Sequence, residues 1–259
     1  MTSILDAVIA RRVGVRIFGV AAVALGLVGL VWGDFASVWQ PVPQDLPGRT
    51  ALAYVVAVAF LLAGLGIQWQ RSAGRSAAAL TVLYALGLIL LHVPRIIVHP
   101  EVFVTWSGAA EQLALVAGGL VAYTCCAQLE PNRAELVSMI GRFIFGVCLI
   151  VFALAHLVYL APTAEYVPAW IPPGQKFWAY ATAAGHFAAG IAILSGILAR
   201  TAAILLTAMF VVFGILVHAP MIVTAPHTHM NWAGNAINFA LVGAAWVIAA
   251  SIPAAKSKA

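Results

Sequence analysis

The stretches "LHVPRIIVHP" (Leu91–Pro100) and "VHAPMIVTAP" (Val217–Pro226) decide the fold of this chain, because they place one pattern twice, 126 residues apart. At that offset, ten of the 27 pairs that start at His92 and His218 are identical, among them histidine, proline, tryptophan and glycine. Unrelated apolar helices share small aliphatic letters by chance, but these four residue types seldom fall in step. The chain is therefore predicted to be an internal duplication.

The composition around these stretches is typical of a membrane protein. Of the 259 residues, 64% are hydrophobic and only 8% are charged, and the mean hydropathy is +1.03. In a typical soluble domain, about a quarter of all residues are charged, and these residues cover its surface. We predict an all-α polytopic membrane protein, because eight apolar runs are long enough to span a bilayer, approximately at residues 17–32, 50–69, 76–93, 107–127, 143–160, 177–198, 201–219 and 232–252.

The repeat divides these eight transmembrane helices into two four-helix units at residues 1–127 and 143–259, joined by a charged cytoplasmic linker at residues 128–142. Because four spans return the chain to its starting side, the two units are predicted to be parallel. The His-x-Pro pattern should end the third helix of each unit, since proline lacks an amide proton. There, His92 and His218 could cap the carbonyl groups that the proline leaves unpaired.

Basic residues predict the orientation in the membrane. Ten of the 13 Lys and Arg residues fall on the side of the chain termini, which the positive-inside rule assigns to the cytoplasm. We expect a bacterial cytoplasmic (inner) membrane protein with both termini cytoplasmic, in contact with the lipid bilayer. No continuous basic groove is predicted, which excludes a nucleic-acid partner. Tryptophans near the outer boundary are predicted to be interfacial anchors: Trp39, Trp106, Trp170, Trp178 and Trp232.

The second unit resembles the DoxX-like family of small four-helix membrane proteins. The resemblance lies in "HLVYLAPTAEYVPAWIPPGQKFWAYATAAGHFAAGIAIL" (His156–Leu194), followed by His218 and Pro220. The first unit is predicted to be a degenerate copy, because Phe60 stands in the place of His186. Some relatives resemble the membrane subunits of quinone-linked sulfur or thiol oxidation. The family has no single agreed activity, so the resemblance implies a four-helix fold more than a function. Those relatives suggest a quinone as ligand and a redox partner in the periplasm or the membrane.

Two histidines of the second unit are the strongest candidates for chemistry. Counting along their helices places His156 about 9 Å and His186 about 12 Å below the outer face, so the imidazoles could pair. Ionisable side chains inside a membrane usually face the bundle interior or a wet cavity. Together with Glu111, the acidic residue well inside a span, they form the predicted catalytic set.

Three roles for this histidine pair stay open at this point. The imidazoles could hydrogen-bond a quinone carbonyl and exchange protons with it. They could ligate a b-type haem from both sides. They could also only hydrogen-bond between closely packed helices, since small residues surround them.

Further polar and aromatic residues of the outer half complete a candidate ligand-binding set: His92, His218, Tyr180, Trp178, Asn235 and Asn238. The two asparagines lie three residues apart and are expected on one helix face, lining the same cavity or holding neighbouring helices together.

A second kind of site is suggested by the last outer loop. His227 and His229, with Met221 and Met230 nearby, could capture copper. A solvated loop without a metal explains the same residues.

Three function classes remain after this reading. Ser-His-Asp, phosphate-loop, His-Glu-x-x-His and Cys-x-x-Cys patterns do not occur, which removes support for hydrolase, nucleotide-binding and thiol-redox functions. A quinone-linked redox subunit, a transport or lipid-handling protein, and a non-catalytic scaffold are left. Whether the chain catalyses a reaction alone, or forms a homo-oligomer, stays open at this stage.

Overall fold

The computed structural model describes the backbone of residues 4–253 and the side chains of residues 9–253. Within that part the chain is all-helical, and eight helices are long and apolar enough to cross a membrane, which confirms the predicted fold class. They are α1 (Ile4–Trp32), α2 (Arg49–Gly66), α3 (Ala73–Val98), α4 (Phe103–Cys126), α5 (Pro131–Val158), α6 (Gln175–Ser195), α7 (Ala199–Thr224) and α8 (His229–Ser251). A short helix, Leu160–Glu165, lies in the α5–α6 connection. We call the bundle end where α1 begins and α8 ends the terminal end, and the opposite end the distal end.

Four helices form the centre of the bundle. The most extensive contacts outside neighbouring pairs join α1 to α8, and α4 packs on both α5 and α8. In the most apolar stretch of α8, 78% of the residues are buried inside the protein. The corresponding share in α7 is 22%, so α7 lies at the periphery of the bundle. The peripheral helices are therefore α2 and α3 on one side and α6 and α7 on the other.

The helix positions follow the repeat in the sequence. Helices α6, α7 and α8 begin 126 residues after α2, α3 and α4, and α5 begins 127 residues after α1. The crossing of α4 and α8 is so close that a Cβ added to Gly118 would lie 2.4 Å from the Cβ of Ala244, its equivalent at the 126-residue offset. Equivalent positions meet at a two-fold axis, so this crossing supports a parallel duplication. The division into two DoxX-like units stays a prediction.

The third helix of each unit does not end at its proline, contrary to the prediction. Leu88–His92 and Gly214–His218 form π-helical turns, after which the chain stays helical to Val98 and Thr224. A proline removes one backbone hydrogen bond and crowds the preceding turn, and a widened π turn accommodates both effects. The predicted capping role of His92 is also wrong, because its Nε2 donates to the carbonyl oxygen of Trp39 at 3.1 Å, outside its own helix.

The connection between the two units is shorter than predicted. Only residues 127–130 join α4 to α5, because α5 begins at Pro131, a residue suited to the first helical position. Most of the predicted linker is thus the first part of α5. Arg142 in this part is neutralised by Glu135 at 2.7 Å and also donates to the carbonyl oxygen of Ser251.

Three helices begin with the same side-chain hydrogen bond. In α4, α6 and α8, a tryptophan Nε1 donates to the carbonyl oxygen of a proline six residues earlier, at 2.9, 2.9 and 2.8 Å. The tryptophans are Trp106, Trp178 and Trp232, and all three are exposed, as interfacial anchors require. The bond ties each distal loop to the helix that follows it.

Candidate functional site

His156 on α5 and His186 on α6 lie side by side. Their ring centroids are 5.0 Å apart and the ring planes meet at 76°, an edge-to-face contact. Two glycines allow this approach, since a Cβ added to Gly190 would lie 3.0 Å from the carbonyl oxygen of Gly146 on α5. The depths counted along the sequence therefore correspond to a real pairing of the rings, while their catalytic role stays a prediction.

The hydrogen bonds around the pair assign the proton positions on His156. Thr182 donates its hydroxyl to the carbonyl oxygen of Trp178 at 2.8 Å and lies 2.9 Å from Nδ1 of His156. A threonine hydroxyl has one proton to donate, so the tautomer of His156 with its proton on Nδ1 satisfies all three groups and would leave Nε2 as an acceptor.

His186 is different, because it lacks such a partner. Its side chain is 2% exposed, and its Nδ1 has no hydrogen-bond partner among the described residues. A buried polar atom without a partner is rare, and a bound ligand or water molecule would supply the missing hydrogen bond.

The pair lines a cavity of about 270 Å³ in the second unit. Its walls come from α5, α6, α7 and α8, with Glu111 of α4 and Trp39 of the α1–α2 connection closing one side. A second cavity of about 430 Å³ shares Glu111, His156 and His218 with the first and reaches the distal loops at Tyr166. A third cavity of about 280 Å³, lined by His92, also ends at Glu111. Glu111 is thus the common wall of three adjoining cavities.

Trp39 is a residue of the candidate site that the sequence did not indicate. It is half-buried and lines the first and second cavities, and its Nε1 donates to Oε2 of Glu111 at 3.1 Å. Its carbonyl oxygen accepts hydrogen bonds from His92 at 3.1 Å and from Gln112 at 3.4 Å. The prediction of an interfacial anchor is wrong for this residue, because α4 draws its side chain inward. The first unit therefore covers the cavity of the second.

The family comparison covers part of the chain that lines the cavity, including the histidine pair. The DoxX family model matches residues 137–219, which run from α5 into α7 and include His156, His186 and His218. That segment of the chain is similar to the DoxX family. No curated protein and no solved structure matches the chain.

Two of the other predicted ligand-binding residues line the first cavity, which contains the histidine pair. His218 lines it at the end of the π turn of α7, and Asn238 of α8 lines it while donating to the carbonyl oxygen of Phe210 at 3.0 Å. His92 lies in the third cavity instead, on the far side of Glu111.

Three predicted ligand-binding residues lie outside this cavity. Trp178 and Tyr180 are exposed on the outer surface of α6, and Tyr180 is 52% exposed. Asn235 lines a groove between α1 and α8 and does not line the first cavity. A spacing of three residues turns a helix by about 300°, so neighbouring faces about 60° apart can meet different surroundings on a central helix.

The four residues of the predicted copper site have different neighbours in the structure, and the copper site stays a prediction. His229 stacks on Trp32, with ring centroids 5.0 Å apart, and His227 lines the α1–α8 groove. Met221 and Met230 line the second cavity instead. Among the described residues, no group of three or more His, Cys, Asp or Glu side chains is placed to hold a metal ion.

The equivalent place in the first unit is filled by aromatic rings. Phe60, which stands at the position of His186, lies 5.2 Å from the ring of Tyr84, and Phe18 lies 5.8 Å from that ring. Tyr84 in turn stands at the position of Phe210 and is 1% exposed. One place in the repeat is thus packed with rings in the first unit and lines a cavity in the second.

Proposed function

We propose that the protein is a membrane subunit of a quinone-linked oxidoreductase and that its second unit binds the head group of a quinone or a similar small hydrophobic ligand. The single observation that supports this proposal is the cavity at His156 and His186, in which a buried imidazole nitrogen has no partner. We place the protein in the bacterial cytoplasmic membrane with both termini cytoplasmic, on the asymmetry of its arginines. The distal end would then open to the periplasm.

The size and the walls of the cavity favour a flat ring as ligand. A cavity of about 150 Å³ lined by apolar residues already admits benzene, so about 270 Å³ leaves room for ring substituents. Phe152 and Phe210 lie 5.6 and 5.5 Å from the ring of His186, and Phe213 lies 6.2 Å from it. Aromatic side chains in this arrangement can pack against a ligand ring by its face or edge.

The polar groups suit the proton chemistry of a quinone. Reduction to the quinol takes two electrons and two protons. His156, His186 and Glu111 can hold and pass the protons, because imidazoles and carboxyl groups serve as general acids and bases. The second cavity leads from these groups to the distal surface. A separate reduced redox protein would supply the electrons.

Haem fits this site poorly. Ligation of one iron by both histidines requires the rings on opposite faces of a porphyrin. His156 and His186 lie in direct edge-to-face contact at 5.0 Å, which leaves no space for a macrocycle between them. The quinone proposal is therefore preferred.

The direct test is a titration of the purified protein with a short-chain quinone analogue. We expect His186→Phe to weaken the affinity at least tenfold, about 1.4 kcal/mol, because the hydrogen-bonding group is lost and the cavity is partly filled. Phenylalanine already occupies the equivalent position at Phe60, so the fold should tolerate the change. The control is His99→Ala, which alters an exposed histidine outside the cavity. An unchanged affinity of His186→Phe, or no binding to the natural sequence, contradicts the proposal.

A transport or lipid-handling role is the second candidate, favoured by the three adjoining cavities that pass from the second unit to the first at Glu111. Fully buried side chains such as Leu149, Val247 and Ile248 fill the core on the terminal side of these cavities. Transport therefore requires that this core open. Flux into vesicles without a redox partner would favour this candidate, whereas copurification with a larger complex and indifference to both histidines would indicate a scaffold.

A further inference from the structure

We propose that a separate cavity at the terminal end of the first unit binds a negatively charged phosphate group, carried by an anionic phospholipid or free in solution. The cavity measures about 260 Å³ and lies where α1, the α2–α3 connection and the end of α4 meet. Three arginines line it, namely Arg11, Arg12 and Arg16.

The cavity combines cationic side chains with a buried apolar floor. Val15, Ile67 and Ala73 are buried beneath the exposed arginines. Arg11 is held in place by a hydrogen bond of 3.2 Å from its Nε to the carbonyl oxygen of Ala250 in α8. Its two terminal amino groups have no hydrogen-bond partner among the side chains of residues 9–253, and guanidinium groups match phosphate oxygens in pairs. An apolar floor beneath a cationic surface suits a phospholipid headgroup and its first methylene groups.

The positive charge of this cavity is not balanced by any carboxylate among the side chains of residues 9–253. Among the side chains of residues 9–253, the arginines in ion pairs are Arg49, with Asp34, and Arg142, with Glu135. None of the three cavity arginines has a carboxylate partner in that part of the chain. A concave surface with unneutralised charge of one sign attracts counter-ions.

The second unit provides an internal comparison. At the 127-residue offset between α1 and α5, the positions of the three arginines are occupied by Ser138, Met139 and Phe143. The four-helix unit therefore folds without a basic cluster at this place. Basic pockets between transmembrane helices are known to bind anionic lipid headgroups. Basic residues hold a segment on the cytoplasmic side by their charge alone, and this does not require them to line one cavity. The position of the three arginines around one cavity is therefore better explained by a bound anion.

Cysteine labelling can report occupancy of the cavity in the unaltered protein. Cys125 and Cys126 are half-buried in its wall, whereas Cys148 is 1% exposed in the core. We expect the maleimide labelling rate of the two wall cysteines in detergent to fall about tenfold when phosphatidylglycerol is added at ten times its dissociation constant. Phosphatidylcholine is the matched lipid without net charge, and inorganic phosphate tests the soluble anion.

The outcomes separate the two sources of phosphate. Protection by phosphatidylglycerol alone identifies a lipid headgroup, and equal protection by inorganic phosphate identifies a soluble anion. Equal protection by phosphatidylcholine, or no protection by any of the three, overturns the proposal.

Charge variants supply the second arm of the test. The triple variant Arg11→Gln, Arg12→Gln, Arg16→Gln should lose the protection. The control Arg75→Gln, Arg133→Gln, Arg200→Gln removes the same charge at the same end from outside the cavity and should keep the protection. If both variants keep it, or both lose it, the proposal is wrong. Should the cavity variant fail to insert, the corresponding lysine variant preserves the charge for insertion and should weaken the protection by loss of paired hydrogen bonds.

Discussion

Among single residues, Glu111 links the two halves of the molecule most directly. It belongs to the first unit, yet it lines the cavity of His156 and His186, and it is held there by Trp39. Helix arithmetic could place the two histidines at one depth, because the rise per residue is constant. It could not foresee Trp39, whose position depends on the path of a loop. Thr182, by contrast, carried a usable signal, since it lies four residues before His186 on the same face of α6.

The hydrogen bond between Trp39 and Glu111 predicts a measurable loss of stability. We expect Trp39→Phe to lower the free energy of unfolding by about 1–3 kcal/mol, because a bond to a carboxylate is lost in a half-buried place. The matched control is Trp232→Phe, whose exposed Nε1 donates to a neutral carbonyl oxygen. Denaturant titration in mixed micelles measures both. Equal losses in the two variants would show that the carboxylate adds nothing.

Tyr84 offers a prediction of the opposite sign. Its hydroxyl is buried and has no hydrogen-bond partner among the described residues. We expect Tyr84→Phe to leave the free energy of unfolding unchanged or to raise it by about 1 kcal/mol, since an unsatisfied buried donor is removed. Thr207→Val serves as the control, because that buried hydroxyl donates to the carbonyl oxygen of Ala203 at 2.8 Å and should cost stability. A loss above 1 kcal/mol in Tyr84→Phe would reveal an unseen partner of the hydroxyl.

At the scale of helices, the eight spans could be predicted from apolar runs, but several of their ends could not. Hydropathy marks the part of a helix that contacts lipid, whereas the charged first turns of α1 and α5 continue the helix beyond it. The helical continuation past Pro94 and Pro220 depends on π turns, which leave no mark in composition. The sequence could not show which surface Asn235 lines for a related reason. The spacing of residues along a helix predicts which side chains share a face, but it does not predict which neighbouring helix that face contacts.

The close crossing of α1 and α8 gives a prediction for the contact between units. A Cβ added to Gly243 of α8 would lie 2.5 Å from the backbone nitrogen of Phe18 in α1. We expect Gly243→Ala to cost about 1–3 kcal/mol, because backbone atoms cannot move aside as a side chain can. In the control Gly185→Ala, the nearest atom is the flexible thioether sulfur of Met209 at 3.2 Å, and the cost should be small. Unfolding curves that rank the two variants in the reverse order would contradict this account of the α1–α8 contact.

At the scale of the whole molecule, the cavity depends on both units. The second unit, which contains the segment similar to the DoxX family, supplies both histidines of the pair. The first unit supplies Glu111 and Trp39. The sequence predicts a duplication because identical residues recur at one offset, and the helix starts follow the same offset, while the division into two DoxX-like units stays a prediction. The coverage of one unit's cavity by the other could not, since it arises only when the units pack together.

A divided chain tests this dependence. Two pieces, residues 1–128 and 129–259, should copurify when coexpressed, because α1–α8 and α4–α5 contacts join them. The pair should bind the quinone analogue, and a first piece with Trp39→Ala and Glu111→Ala should copurify but bind it at least tenfold more weakly, about 1.4 kcal/mol. Full-strength binding by that altered pair would show that the second piece carries a complete site.

The aromatic filling of the first unit has a consequence for stoichiometry. In the first half, Phe60 and Tyr84 occupy the space that the histidine pair opens in the second. If the proposed function is right, the molecule has room for one head group beside His186 and none beside Phe60. A saturating titration should then reach one ligand for each polypeptide.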